Sequence, residues 1–265
     1  MSDQASTSHP PRAARWGPWQ LPASSEARPL KLLLLHGFCS SPRELRPLGQ
    51  ALSQRGYHCL APLLPGHGES PAGMRACILE DWLEAVTLSY EALRRDGSPV
   101  AIVGFCLGAV LGLATAPELN PRGLVCLAAP SEPLPGSLFP ERDKEDFVGC
   151  EPFLECCRSD TARAWRVAGA HGEIPSAFLE RFNEAISRGR EATGAIRCPV
   201  LAAIGEEETL LGGQPPSLPD SHPLTRTVEV PGAGYALPID RGRRHLFKVV
   251  AEFLQELESL EQQQF

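Results

Sequence analysis

The sequence predicts an α/β fold in which a mostly parallel sheet is flanked by helices, and three observations carry that prediction. Short apolar runs alternate with stretches whose apolar residues recur at helical spacing. The runs are apolar throughout, as strands covered on both faces are. The stretch from Val100 to Leu111 reads as a strand, a tight turn and a helix with no linker between them. At 265 residues the chain can build one large domain with a sizeable core, and a second full domain is not needed.

The elements follow in order. Residues 1–12 are rich in Ser, Pro and Ala without periodicity and are expected to be a disordered arm. Residues 15–21 carry two Trp and read as an edge strand, a position to which Pro18 confines them. Lys31–His36 is a buried parallel strand. Ser41-Pro42-Arg43-Glu44 has the capping-box pattern, followed by Leu45, Leu48 and Leu52 on one helical face; Gly56 ends that helix and Pro47 predicts a kink in it. A short strand is expected over Tyr57–Leu64, and a helix over Asp81–Arg95 with Trp82, Val86, Tyr90 and Leu93 on its apolar face. After the strand–turn–helix come a strand over Arg122–Ala128, then a charge-rich segment from Pro130 to Arg197. The clearest helix of that segment runs over Ser176–Arg188, with Phe178, Leu179, Phe182 and Ile186 on one face. Pro199–Ile204 and Arg226–Val230 resume the sheet, and an amphipathic helix from Asp240 closes the domain. The succession of strands and helices implies right-handed parallel crossovers.

Composition excludes several function classes. The formal net charge of −7 offers no basic field for nucleic acid or an anionic membrane surface. No apolar run reaches the ~20 residues of a spanning helix, and the N-terminus lacks the apolar core of a signal peptide, so the expectation is a cytoplasmic protein with no membrane span. The nine cysteines are scattered without Cys-x-x-Cys spacing, which points away from zinc and redox dithiols; no cofactor is expected. Cys59, Cys126 and Cys198 lie in or beside strand-like runs and read as core thiols.

Cys106 differs from these, because it occupies the apex of the tight turn in Gly104-Phe105-Cys106-Leu107-Gly108. A side chain held there stands on strained backbone at the end of a sheet, and the glycines on either side leave it room. Its place at a helix N-terminus favours a thiolate and supplies amides for a developing oxyanion.

This stretch resembles the nucleophile elbow of the α/β-hydrolase family, with Cys where Ser is usual. Leu32-Leu33-Leu34-Leu35-His36-Gly37-Phe38 resembles the family's strand leading into the oxyanion loop, and Leu64-Pro65-Gly66-His67-Gly68-Glu69-Ser70 its Pro-Gly-His-Gly-x-Ser turn. The likeness runs from about Leu30 onward and is nearest to the carboxylesterase and monoacylglycerol-lipase-like branch. It implies an α/β-hydrolase core over residues 13–130 and 198–265, with residues 131–197 as a helical lid inserted after the sixth strand. It also implies backbone oxyanion donors at Phe38 and Leu107, and makes His67 a structural turn residue.

The same resemblance expects a carboxylate after the penultimate strand, where Gly205-Glu206-Glu207-Glu208 stands; alignment selects Glu208 as the acid. It expects a His after the last strand. There the text is Pro231-Gly232-Ala233-Gly234-Tyr235, so Tyr235 occupies the base position. A phenol with an ordinary pKa near 10 does not accept protons at neutral pH as imidazole does. Three readings follow. In the first, Cys106 attacks an ester, thioester or lactone without a base, and the acyl group leaves by hydrolysis, transfer or cyclisation. In the second, His36, His171, His222 or His245 supplies the missing imidazole. In the third, the chain is a pseudoenzyme or non-covalent cyclase, isomerase or binding protein, with Tyr235 donating a hydrogen bond in its pocket. The expected partner is a small acyl molecule, a thioester among the candidates.

Overall fold

The structure is a computed structural model that describes residues 16–68, 70–142, 146–156, 172–212, 218 and 223–262. The predicted N-terminal arm, His171 and His222 lie outside the described residues. The core is a mostly parallel seven-stranded sheet flanked by helices. The sheet contains β1 (Trp19–Leu21), β2 (Lys31–Leu35), β3 (His58–Ala61), β4 (Val100–Phe105), β5 (Leu124–Leu127), β8 (Val200–Gly205) and β9 (Arg226–Val230). The spatial order is β1-β3-β2-β4-β5-β8-β9. Every pairing is parallel except β1 with β3, where Trp19 opposes Ala61.

Burial follows position in the sheet. The central strands β4, β5 and β8 are buried along their whole length, whereas the edge strand β9 alternates. After β2 the chain runs outward to β3 and then crosses back to β4 on the other side of β2, so the winding reverses between β2 and β4. The crevice beyond the carboxyl ends of these two strands is where such sheets place their sites.

Helices α1 (Arg46–Ser53), α2 (Pro71–Ala76), α3 (Leu79–Arg94), α4 (Leu107–Leu119) and the C-terminal α7 (Arg243–Gln262) connect and cover the strands. Helix α4 is buried almost all round, because the sheet lies on one side of it and α3 and α6 (Ser176–Ala192) on the other. That enclosure explains why its sequence, LGAVLGLATAPEL, shows no polar face.

Several local expectations are corrected. The capping box at Ser41 does not form: Pro42–Leu45 is a 3₁₀ turn without a side-chain cap, and the Glu44 carboxylate instead accepts from Gly37 N at 2.6 Å. Pro47 causes no kink, because α1 starts at Arg46 and the amide that Pro lacks belongs to the first turn, where it has no helical acceptor. The inserted segment follows the fifth strand, not the sixth, since a single antiparallel strand precedes the parallel ones. That segment is not purely helical. It holds an antiparallel ribbon of β6 (Phe147–Gly149) and β7 (Glu173–Pro175), the short helix α5 (Glu151–Glu155), and α6.

Candidate active site

The carboxyl ends of β2, β4, β8 and β9 converge on one side of the sheet, and the residues singled out in the sequence sit on the loops that leave them. At the end of β4 the chain turns straight into α4 through Cys106, whose φ of 49° and ψ of −109° lie outside the ordinary wells for a side chain other than Gly. Strain of this kind persists only where the surroundings over-determine it. Here a Cβ on Gly104 would stand 2.3 Å from Gly108 O, and one on Gly108 would stand 2.0 Å from Leu35 O. The backbones are thus pressed together on both sides of Cys106. Cys106 N donates to Leu127 O at 2.9 Å and Gly108 N to His36 O at 3.0 Å, so the Leu107 amide lies between two anchored neighbours.

The loop after β2 carries Phe38. His36 at its start is wholly buried: its Nε2 accepts from Leu64 N at 3.0 Å, which makes Nδ1 the protonated nitrogen, 2.9 Å from Gly37 O. Burial holds this imidazole at a pKa of about 4. Both ring nitrogens are committed to loop architecture, and His36 is not a proton shuttle. His67 sits as the turn residue expected, with Nδ1 3.1 Å from Pro65 O and its ring 4.8 Å from that of His36. His58 Nε2 pairs with Gln20 at 2.6 Å in β3, and His245 is exposed on α7. Among the described residues, therefore, none of the predicted substitute histidines is drawn into the site.

The loops after β8 and β9 pack against each other. A Cβ on Gly205 would meet Ala233 O at 2.3 Å, and Glu207 N donates to Ala233 O at 2.9 Å. Within the three-Glu run only Glu208 is buried, and its Oε1 accepts from Leu211 N at 2.7 Å, while Glu206 and Glu207 are exposed. Tyr235 is wholly buried. The amide before it, Gly234 N, is held by Asp240 Oδ2 at 3.0 Å, and Asp240 Oδ1 accepts from Arg241 N at 2.9 Å. This buried carboxylate anchors the Tyr235 loop at the place where the closing helix was predicted to begin.

Aromatic rings join the loops. The Tyr235 ring is 5.2 Å from Phe105, the residue before Cys106, and 5.8 Å from Phe153 of α5. Phe153 in turn lies 5.8 Å from Phe38, which stacks on Phe182 at 4.4 Å and on Phe178 at 5.2 Å. All these rings are buried, as is Cys106 itself. The structure thus gathers Cys106, Leu107, Phe38 and Tyr235 at one end of the sheet, with Glu208 on the adjoining loop. No periodicity marks Phe153 in the sequence, because its helix of five residues is too short to show any. Glu44 and Asp240 were likewise missed as anchors; both read as helix-starting acids.

Three buried thiols in or beside the strands are held protonated. Burial pushes Cys59 up to about 12 and Cys198 up to about 11, and raises Cys126 further.

Comparisons with known proteins agree with this architecture. A family model described as the alpha/beta hydrolase family matches residues 32–249. The chain is 27% identical over 191 residues to a thermostable monoacylglycerol lipase of Bacillus sp. (strain H-257), covering 71% of this chain and 74% of that protein. It is 38% identical over 100 residues to a carboxylesterase of Bacillus subtilis (strain 168), a match that takes in 37% of this chain and spans only 41% of the relative's length. In structure it is similar to the metagenome-derived lipolytic enzymes LipS and LipT (TM-score 0.76, 16% identity, 91% of this chain and 98% of the other). It is also similar to a monoacylglycerol lipase of Paleococcus ferrophilus (TM-score 0.70, 17% identity, 91% and 98%). At these identities the structural likeness is one of fold. No helix among the described residues is long and apolar enough to cross a membrane.

Proposed function

Since the chain belongs to the alpha/beta hydrolase family, we propose that it is an acyl-processing enzyme in which Cys106 is the nucleophile and Tyr235 stands where an imidazole base would work. The carrying observation is the backbone of Cys106, held at φ 49° on the β4–α4 turn by the close approach of Gly104 and Gly108 to their neighbours. Nothing in ordinary core packing calls for that strain at a cysteine.

In this reading the Cys106 thiolate attacks the carbonyl carbon of an ester, thioester or lactone. The carbonyl oxygen becomes an oxyanion received by the amides of Leu107 and Phe38, and these donors act whatever their side chains are. The leaving group departs as the carbonyl re-forms, leaving a thioester on Cys106. A thiol is partly ionised at neutral pH and needs no base for this step. Water does need one. Of the described histidines, His36 has both ring nitrogens engaged in its loop, His67 sits in its turn with Nδ1 3.1 Å from Pro65 O, His58 pairs with Gln20 and His245 is exposed on α7. With none of the described histidines assigned as that base, deacylation is the slow step in this reading, and an amine or hydroxyl of the substrate competes with water for the acyl group. Glu208, the buried member of its run, is the residue assigned to the acid position; its hydrogen bond to Leu211 N fixes the loop.

A second reading, a non-covalent pocket or altered enzyme that acts without an acyl intermediate, is favoured by one observation: Cys106 and Tyr235 lie wholly buried beside a continuous set of aromatic rings. Intact-protein mass spectrometry after exposure to an activated aryl ester separates the two. Covalent chemistry gives an added acyl mass that maps to Cys106 and is absent from Cys106→Ser. A protein that turns the ester over, or binds it, with no adduct on Cys106 at any time overturns the nucleophile assignment.

A further inference from the structure

Cys39 follows Phe38 in the loop after β2, and Cys150 precedes α5 in the inserted segment. Their Sγ atoms are 3.2 Å apart although 111 residues separate them in sequence, and both side chains are wholly buried. Cys39 has a φ of 55°, so its thiol is held in place by a constrained backbone. Cys150 is fixed to the ribbon through its amide, which donates to Gly172 O at 3.1 Å. Three residues beyond Cys150, Phe153 bridges the rings of Phe38 and Tyr235. The segment of residues 147–156 therefore meets the Phe38 loop at two points, a thiol–thiol contact and a ring contact. Cys106, next in the chain to Phe105 whose ring meets Tyr235, is itself wholly buried, so any molecule that reaches it requires part of its surroundings to move.

We propose that Cys39 and Cys150 form an oxidation site whose disulfide clamps residues 147–156 onto the Phe38 loop. The oxidant is a low-molecular-weight disulfide of the glutathione type. One thiol, as its thiolate, attacks a glutathione sulfur and expels one glutathione thiolate. The other then attacks the mixed disulfide at the protein sulfur, forming the Sγ–Sγ bond and releasing the second glutathione. Two protons leave the protein and two electrons pass to glutathione. Glutathione disulfide reaches the buried pair when the segment opens locally, and the second step then needs little rearrangement because the two sulfurs lie 3.2 Å apart in the closed structure. With both thiols reduced, no covalent bond ties residues 147–156 to the Phe38 loop, and the segment lifts by local opening. The inference is independent of what Cys106 does chemically.

The test uses the whole wild-type chain equilibrated with oxidised or reduced glutathione. In the oxidising buffer the intact mass should fall by about 2 Da, the two hydrogens lost in disulfide formation, without gaining a glutathionyl group. Alkylation in denaturant before and after reduction should place Cys39 and Cys150 together in the reducible pool. Amide hydrogen exchange over residues 147–156 and the Phe38 loop should slow by at least about tenfold on oxidation and recover with dithiothreitol. Cys150→Ala should exchange at the same rate in both buffers. A pair that stays reduced while glutathione adds elsewhere overturns the proposal. So does a Cys39–Cys150 disulfide that leaves the exchange unchanged.

Discussion

The two sides of the site are built by different means. On the Cys106 side the geometry is made by backbone: a strained turn, glycines in van der Waals conflict with any added Cβ, and amides anchored to neighbouring strands. On the Tyr235 side it is made by side chains. Asp240 grips the amide of Gly234, and Tyr235 packs between Phe105 and Phe153. In the proposed reading the backbone side follows the elbow pattern with Cys in the place of Ser, whereas the side-chain side carries a phenol in the place of an imidazole. On the proposed function such a site would keep the amides that stabilise an oxyanion while its proton chemistry changes, because backbone amides do not depend on side-chain identity.

The largest effect should come from disturbing the backbone side. Gly108→Ala puts a methyl 2.0 Å from Leu35 O, where backbone has to give way, and should cost on the order of 4 kcal/mol in denaturant unfolding. Gly136→Ala is the matched control, since its Cβ meets nothing within 4 Å, and it should be near neutral. Equal stabilities for the two variants would mean that the turn relaxes without strain.

Restoring the other side is the next largest change. Tyr235→His returns an imidazole to the base position and should raise hydrolysis of simple esters by ~100- to 10,000-fold, the usual range for a placed general base. Cys106→Ser alone should be nearly inert, and combined with Tyr235→His it should act as an ordinary serine esterase. A folded Tyr235→His protein with unchanged ester hydrolysis would show that residue 235 does not face the reacting group.

A smaller effect tests the Phe38 loop through pH. His36 has a folded pKa of about 4 against an ordinary 6.5, so the unfolded chain binds the extra proton first as the solution is acidified. Stability present above pH ~6.5 is lost as pH falls through that window toward 4, by about 3 kcal/mol in all. Unfolding free energies of the wild type and His36→Gln measured across this range should diverge in slope, the variant lacking this contribution. Parallel curves would place the acid sensitivity elsewhere.

What was legible in the sequence follows the same division. The parallel strands, the elbow at Cys106 and the absence of His at position 235 could be read directly, because buried strands are apolar throughout and the turn needs glycines at fixed spacing. The roles of Glu44, Asp240 and Phe153 could not. Each depends on a contact between segments distant in the chain or on a loop conformation, and each residue has a commoner local meaning: Glu44 as a capping-box acid, Asp240 as a helix start, Phe153 as one aromatic in a charged segment. Pro47 misled for a related reason, since its effect depends on where the helix begins, and the 3₁₀ turn moved that point to Arg46.

The central claim is that acyl transfer to Cys106 survives while its hydrolysis is impaired. The most direct measurement is the lifetime of the Cys106 acyl adduct, followed by intact-protein mass spectrometry after rapid removal of an activated aryl ester, in the wild type and in Tyr235→His. The account predicts an adduct that accumulates in the wild type, with an initial burst of the phenol, and clears markedly faster in Tyr235→His. A wild-type protein that hydrolyses the ester steadily with no burst and no adduct, at a rate Tyr235→His does not exceed, would contradict it.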